Sequence, residues 1–201
     1  IMTEEFTMTG PDIFEFDITS SDVSCFDGID GAVSVTVTGS TGPYYVFWDN
    51  NINTSLLIAG MYSYQIIDSI GCVYQDSLIV SEPSAFTVVE NITDVSCYGG
   101  NDGAISLNIS GATPPYVIDW FGIPTFNMIA GTYNFTIIDS NQCVYSEIAI
   151  VNEPNPIDVT YTISLPYCIN STNGSVVTTI VGGTPPYVED WFGYNPNALA
   201  V

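Results

Sequence analysis

Apolar and polar residues alternate along most of this chain in short runs with a period of two. Val33, Val35 and Val37 alternate with Ser34, Thr36 and Thr38, and Ile105, Leu107 and Ile109 alternate with Ser106, Asn108 and Ser110. Successive side chains of a strand point to opposite faces, so each run predicts a β-strand with one dry face and one wet face. Tyr44, Val46 and Trp48 make a second inward stripe and Tyr62, Tyr64 and Ile66 a third, leaving Tyr45 and Phe47 to point outward. Clusters of Gly, Pro, Asn and Asp divide the runs, and Asp30-Gly31 and Asp102-Gly103 read as turns tolerant of positive φ. No window of a dozen residues carries a 3.6 period, and the Gly and Pro punctuation is too frequent for a helix of ordinary length.

Laid against itself, the chain repeats every 71 to 72 residues. Ser-Cys-Phe-Asp-Gly-Ile-Asp-Gly-Ala at 24–32 returns as Ser-Cys-Tyr-Gly-Gly-Asn-Asp-Gly-Ala at 96–104, and Asn173-Gly174 follows Cys168 at a similar distance. Gly-Pro-Tyr-Tyr-Val-Phe-Trp at 42–48 returns as Pro-Pro-Tyr-Val-Ile-Asp-Trp at 114–120 and as Pro-Pro-Tyr-Val-Glu-Asp-Trp at 185–191. Ala59-Gly60-Met61-Tyr62 matches Ala130-Gly131-Thr132-Tyr133, and Glu82-Pro83 matches Glu153-Pro154. The register assigns residues 1–10 to the last strand of a preceding repeat, 11–83 to repeat 1, 84–154 to repeat 2 and 155–201 to a truncated repeat 3, so the chain reads as a window on a longer polypeptide. The predicted fold is all-β, with tandem immunoglobulin-like β-sandwich repeats of six or seven antiparallel strands each. Glu189 stands where Val46 and Ile118 stand, so the third copy must shift register there or turn that carboxylate to solvent.

Ser-Cys-x-Gly-x-Asp-Gly, then Gly-x-x-Pro-Tyr-x-x-x-Trp, Ala-Gly-x-Tyr and Asp-x-x-x-Cys, in this order and at this spacing, resemble the SprB repeat. That repeat is found in giant surface adhesins of gliding Bacteroidota exported by the type IX secretion system. The resemblance covers nearly the whole chain. Three departures stand out: Asp27 where the pattern has Gly, Gln142 in place of the Gly before Cys143, and Leu165-Pro166-Tyr167 before Cys168. The resemblance implies a non-enzymatic stalk or filament segment, extracellular and at the cell surface. Its implied partners are neighbouring repeats and, through the parent protein, the secretion and gliding machinery and external surfaces or glycans. A spacer array in a large secreted polysaccharide-degrading enzyme and a calcium-dependent carbohydrate-binding module are the alternatives.

Composition narrows the chemistry. The 201 residues include no Lys, Arg or His against 22 Asp and Glu, a formal charge of -22. Without cations the chain cannot neutralise phosphates, so nucleic acid is excluded as a partner, as is electrostatic docking on an anionic membrane. An imidazole base, a Schiff-base lysine and an arginine clamp are equally absent. No run approaches the roughly 18 to 20 apolar residues of a membrane span, and no basic leader region is present, so direct membrane insertion is not expected.

Five cysteines hold fixed places in the repeat: Cys25 and Cys72, Cys97 and Cys143, then Cys168. Separations of 47 and 46 positions within a repeat do not suit a zinc site, whose thiolates cluster at short spacing. In the extracellular setting that the resemblance implies, disulfides fit better, pairing Cys25 with Cys72 and Cys97 with Cys143, with the partner of Cys168 beyond Val201. This pairing needs both cysteines at one end of a sandwich, as six up-and-down strands would give. A seven-strand immunoglobulin order would put them at opposite ends. Pairing of Cys72 with Cys97 and of Cys143 with Cys168, and buried free thiols, are the rival readings.

Carboxylates are the other chemistry available. A glycosidase pair is disfavoured, because Asp-Gly recurs with the repeat and needs no role beyond a turn. Asp22, Asp27, Asp30 and Asp68 are expected on neighbouring loops, with Asp94, Asn101, Asp102 and Asp139 as their counterparts, a set of hard oxygens suited to Ca²⁺. No other cofactor is expected. The Tyr after each Ala-Gly resembles a tyrosine corner. The outward Tyr45 and Phe47 are the better ligand-binding candidates, but Val117 and Asp119 replace them in the second repeat.

Overall fold

The computed structural model describes residues 15–39 and 42–199, so the strand expected at residues 1–10 lies outside the described residues. Contacts group the chain into two units. One runs through Thr87 and takes in Ser110–Val117 and Ile138–Val144, while the other takes Val88–Ile109, Ile118–Ile137 and the chain from Tyr145 onward.

Repeat 1 forms β1 (Glu15–Ser21), β2 (Ala32–Gly39), β3 (Tyr45–Trp48), β4 (Gly60–Ile67) and β5 (Val73–Val80), of which β2, β3 and β4 lie on the period-two runs. A short 3-10 turn at Asp49–Asn51 follows β3. Strands β1 and β2 pair antiparallel, with Phe16 opposite Val37 and Ile18 opposite Val35. A second antiparallel sheet has the order β3-β4-β5, with Val46 opposite Ile66 and Tyr64 opposite Asp76. The sheets face each other. Buried Val37, Tyr64 and Ile66 pack with Phe16, Ile18, Val35, Val46, Trp48 and Tyr74, residues drawn from both sheets. The Phe16–Tyr74 and Trp48–Tyr64 ring centroids lie 4.6 and 5.3 Å apart in tilted contacts, a favourable aromatic geometry. A second cluster of Val23, Val33, Leu57 and Val80 closes one end of the sandwich.

Repeat 2 has six strands: β6 (Thr87–Thr93), β7 (Gly103–Ser110), β8 (Val117–Asp119), β9 (Phe126–Met128), β10 (Gly131–Ile138) and β11 (Val144–Val151). They form the sheets β6-β7-β9 and β8-β10-β11. In repeat 1 an isolated Gly31–Leu57 bridge stands where β9 pairs with β7. In repeat 3 the described strands are β12 (Asp158–Ser164) and β13 (Ser175–Val181), an antiparallel pair.

Several expectations need correction. Tyr44 is exposed rather than inward, and its hydroxyl donates to Val37 O at 2.9 Å. Gly31 and Gly103 are not at positive φ. They are glycine because a Cβ would sit 2.9 Å from the carbonyl oxygens of Leu57 and Met128, closer than such atoms pack. Glu189 meets one of its two expected outcomes: its carboxylate is turned to solvent, accepting the Thr178 hydroxyl at 2.7 Å, and residues 185–191 form no strand. The tyrosine corner is present twice, with Tyr62 and Tyr133 hydroxyls donating to Ile58 O and Ile129 O at 2.8 Å.

One core position carries a charge. Glu90 occupies the place of Ile18, and its Oε1 is buried without a hydrogen-bond partner. Burial, then the nearby Glu147, pushes the Glu90 carboxyl up. Glu147 is held by the Tyr145 hydroxyl, whose own pKa that bond raises to about 12. A carboxyl raised in the folded state favours folding below its unfolded value of 4.5 and opposes it as pH rises through the folded value. Glu90→Gln is therefore expected to raise the melting temperature at pH 7, with the gain vanishing below about pH 4, as thermal melts across that range would show.

Candidate junction between repeats

The loop after the first strand of each repeat is built by one set of hydrogen bonds. Ser24 N donates to Asp30 Oδ1 and Ser96 N to Asp102 Oδ1, both at 3.0 Å. Gly28 N and Gly100 N donate to the carbonyls of Cys25 and Cys97 at 2.9 Å. Glu82 accepts Asp27 N at 2.7 Å, and Glu153 accepts Gly99 N at 2.6 Å. The recurring Glu-Pro therefore caps the cysteine loop, a role its recurrence alone did not reveal. Repeat 3 keeps the frame with an amide: Tyr167 N donates to Asn173 Oδ1, and Ser171 N to Cys168 O. Asp27, Gly99 and Asn170 share a left-handed backbone with φ of 56, 71 and 65°. Asp and Asn tolerate that conformation, which accounts for the departure at Asp27.

The turn before the last strand is as regular. Asp68 Oδ1 accepts Ile70 N and Cys72 N at 3.1 and 2.8 Å. Asp139 Oδ1 accepts Asn141 N and Cys143 N at 2.8 and 2.9 Å, and its Oδ2 accepts Thr113 N at 3.0 Å. Both carboxylates are buried. With no cation in the chain, backbone N–H groups supply the donors that a buried carboxylate requires. Gly71 and Gln142 take the left-handed position of the turn, at φ of 90 and 68°.

These two pieces lie at opposite ends of a repeat. Val23 N donates to Ser81 O, one residue past the end of β5, whereas Cys72 stands just before its start. Eight residues of strand put roughly 25 Å between the ends, far beyond the reach of a disulfide. The expected Cys25–Cys72 and Cys97–Cys143 pairs are thus not formed, and neither are Cys72–Cys97 and Cys143–Cys168. Cys25 is instead bonded to Cys143, with Cα atoms 5.7 Å apart and 118 positions between them, and Cys72, Cys97 and Cys168 are free and exposed. The two cysteine positions therefore stand at opposite ends of the repeat, not at one end as six up-and-down strands would put them.

Within the first unit, the turn of repeat 2 is seated on the cysteine loop of repeat 1. Asn141 Nδ2 donates to Ser24 O at 2.9 Å and lies 3.3 Å from Thr113 Oγ1. Within the second unit, Thr184, the counterpart of Thr113, donates from Oγ1 to Ser96 O at 3.1 Å. The cavity beside it, about 380 Å³, is lined by Cys97, Tyr98, Asn155, Pro156, Ile157 and Gly183 among others.

Residues 18–51 and 89–125 match the SprB repeat family. Two segments of the chain are thus similar to SprB repeats. Both matched segments contain the Ser-Cys loop and the Pro-Tyr to Trp stretch of a repeat, and both end before its Asp-x-x-x-Cys turn. That family implies repeat segments of cell-surface, adhesin-like proteins. No curated protein and no solved structure matches the chain. Among the described residues no helix is long and apolar enough to cross a membrane.

The calcium candidates are not brought together. Asp27 and Asp30 belong to the Cys25 loop and Asp68 to the turn at the far end of β5, while Asp102 and Asp139 are committed to the Cys97 loop and the Cys143 turn. Among the described residues no group of three or more Cys, Asp or Glu could hold a metal ion. Bonds from the Ser24 and Ser96 side chains, then from their backbones, hold the Asp30 and Asp102 carboxyls below the ordinary aspartate value of 3.8. That contribution is present above about pH 4 and fades as pH falls through the lowered values. Partial loss of water around the exposed thiol, then the Asp68 carboxylate, pushes Cys72 up.

The Asp139 side chain orders the turn that presents Cys143. Asp139→Ala leaves three N–H groups without their acceptor and is expected to cost about 2 kcal/mol, measured by urea unfolding, with Asp139→Asn costing less. Closing a loop of 118 residues contributes about 5 kcal/mol in the chain-entropy account, so Cys143→Ser should cost more than either. Peptide mapping without reductant, using a protease that cuts at acidic residues, should recover Cys25 joined to Cys143.

Proposed function

We propose that this segment is a non-enzymatic stalk or filament of a secreted surface adhesin, in which consecutive SprB repeats are coupled covalently end to end to carry tension. The observation that carries this reading is the Cys25–Cys143 bridge, which ties the cysteine loop of one repeat to the turn of the next. The first and last strands of a repeat transmit force through hydrogen bonds and packing, both of which yield under load. A bridge between repeats bypasses them. Chains without Lys cannot form a Lys–Asn isopeptide lock, so the disulfide is the covalent crosslink open to this sequence. The proposed partners are neighbouring repeats and, through the parent protein, the secretion and gliding machinery and the surface to which it adheres.

Single-molecule stretching tests the mechanical part. With the bridge intact, the 118 positions it spans should add nothing to the extension. Reduction should release about 400 Å of further chain, at the roughly 3.4 Å per residue of an extended backbone. Equal contour lengths with and without reductant would remove the bridge from the force path.

A further inference from the structure

The outward face of the β3-β4-β5 sheet of repeat 1 takes no part in the sandwich core. Three cross-strand rows cover it: Tyr45, Ile67 and Val73, then Phe47, Gln65 and Gln75, then Ser63 beside Ser77. Tyr45 and Phe47 are 59 and 53% exposed, with ring centroids 6.4 Å apart and planes inclined at 34°. Beside Phe47 lies an open hollow of about 380 Å³, bordered by Asp49, Ser63, Gln65, Gln75 and Ser77 among others, within the roughly 300 to 1,000 Å³ of small-ligand sites. Among the described residues Gln65 and Gln75 make no side-chain hydrogen bond, although they stand opposite each other. In repeat 2 the same pair, Thr136 and Ser146, is closed by a hydroxyl–hydroxyl bond at 3.2 Å. Neighbouring repeats do not cover this face. Its counterpart in repeat 2, with repeat sequence on either side, leaves Val117, Val144 and Ile148 exposed.

The groups on this face fix the chemistry of what can rest on it. Each amide offers N–H donors and a carbonyl acceptor, so an aliphatic partner would strand Gln65 and Gln75. An aromatic ring presents a negative face, which attracts C–H groups and repels anions. The ionised groups at the rim, Asp49 and Asp76, are both carboxylates, and a chain of charge -22 without a cation repels polyanions. A sugar chain meets all of these conditions, because its rings carry apolar C–H faces and its hydroxyls both donate and accept. We propose that this face binds a neutral, extended glycan of the β-1,4-linked hexose type. Tyr45 and Phe47 stack beneath its rings, and Gln65 and Gln75 bond to the hydroxyls of the ring over Phe47. An extended chain suits a sheet face whose two rings lie side by side. Val117 and Asp119 leave repeat 2 without either ring, so these two repeats provide one site and not two.

Calorimetric titration of the whole chain, its Cys25–Cys143 bond formed, with cellohexaose and with β-1,4-mannohexaose tests this. At least one should bind with one site per chain, unchanged by added salt or by EDTA. Phe47→Leu keeps an apolar side chain without a ring, and Phe47→Asp installs the residue that repeat 2 carries. Each should weaken binding about tenfold or more, the loss of one stacked ring, whereas Phe47→Trp should retain it. Replacing Gln65 and Gln75 together by Ala should weaken binding as well, and Val117→Ala should leave it unchanged. An unaltered melting temperature shows that each variant has folded. Absence of binding to both hexasaccharides, tighter binding of polygalacturonate or of chitosan oligosaccharides, binding that survives Phe47→Leu, a requirement for Ca²⁺, or self-association of the chain through Phe47 overturns the proposal. The stretching signature reads Cys25 and Cys143, so that reading and this one fail separately.

Discussion

Eight residues of β5 stand between the two cysteine positions of the first repeat, and the consequences of that separation run through the whole chain. A strand is stiff and rises about 3.3 Å per residue, so the cysteines of one repeat cannot meet however the loops adjust. Any bridge must leave the repeat. The loop and the turn are accordingly built as presenting devices, each fixed by a carboxylate that accepts backbone N–H groups. Between Cys25 and Cys143 these devices meet.

The absence of cationic side chains sets a second constraint. Asp68 and Asp139 are buried without any ion pair to compensate them, and the N–H groups of their own turns solvate them instead. Local sequence therefore does the work that a salt bridge does elsewhere, which is why Asp-x-x-x-Cys recurs as a unit. Glu90 marks the limit of this strategy. It sits in a core, not in a turn, where strand N–H groups are committed to the sheet ladder and none is left to offer.

Several strands and most core stripes were legible in the sequence, because alternation fixes which face is dry. Val37, Tyr64 and Ile66 are buried where their period placed them. The pairing of the cysteines was not legible, since spacing along a chain carries no strand direction, and only the direction of β5 distinguishes one end of the repeat from the other. Gly31 was misread because Asp-Gly suggests a turn as readily as a close approach to a neighbouring carbonyl. The capping role of Glu82 lay behind 55 residues of intervening chain. Glu90 was visible at the position of Ile18, and comparing the first two copies there would have found it, as it found Glu189 in the third.

The Cys25–Cys143 bond also changes what a cut does to the chain. Hydrolysis of any single peptide bond between those residues leaves two pieces still joined through sulfur, whereas a cut in an unbridged repeat parts the molecule at once. A chain with no Lys or Arg already offers nothing to proteases that cleave at basic residues. For the others, nicks within the bridged span leave the two ends of the molecule joined through sulfur, and parting them takes such a nick together with a reductant, or a cut outside the span.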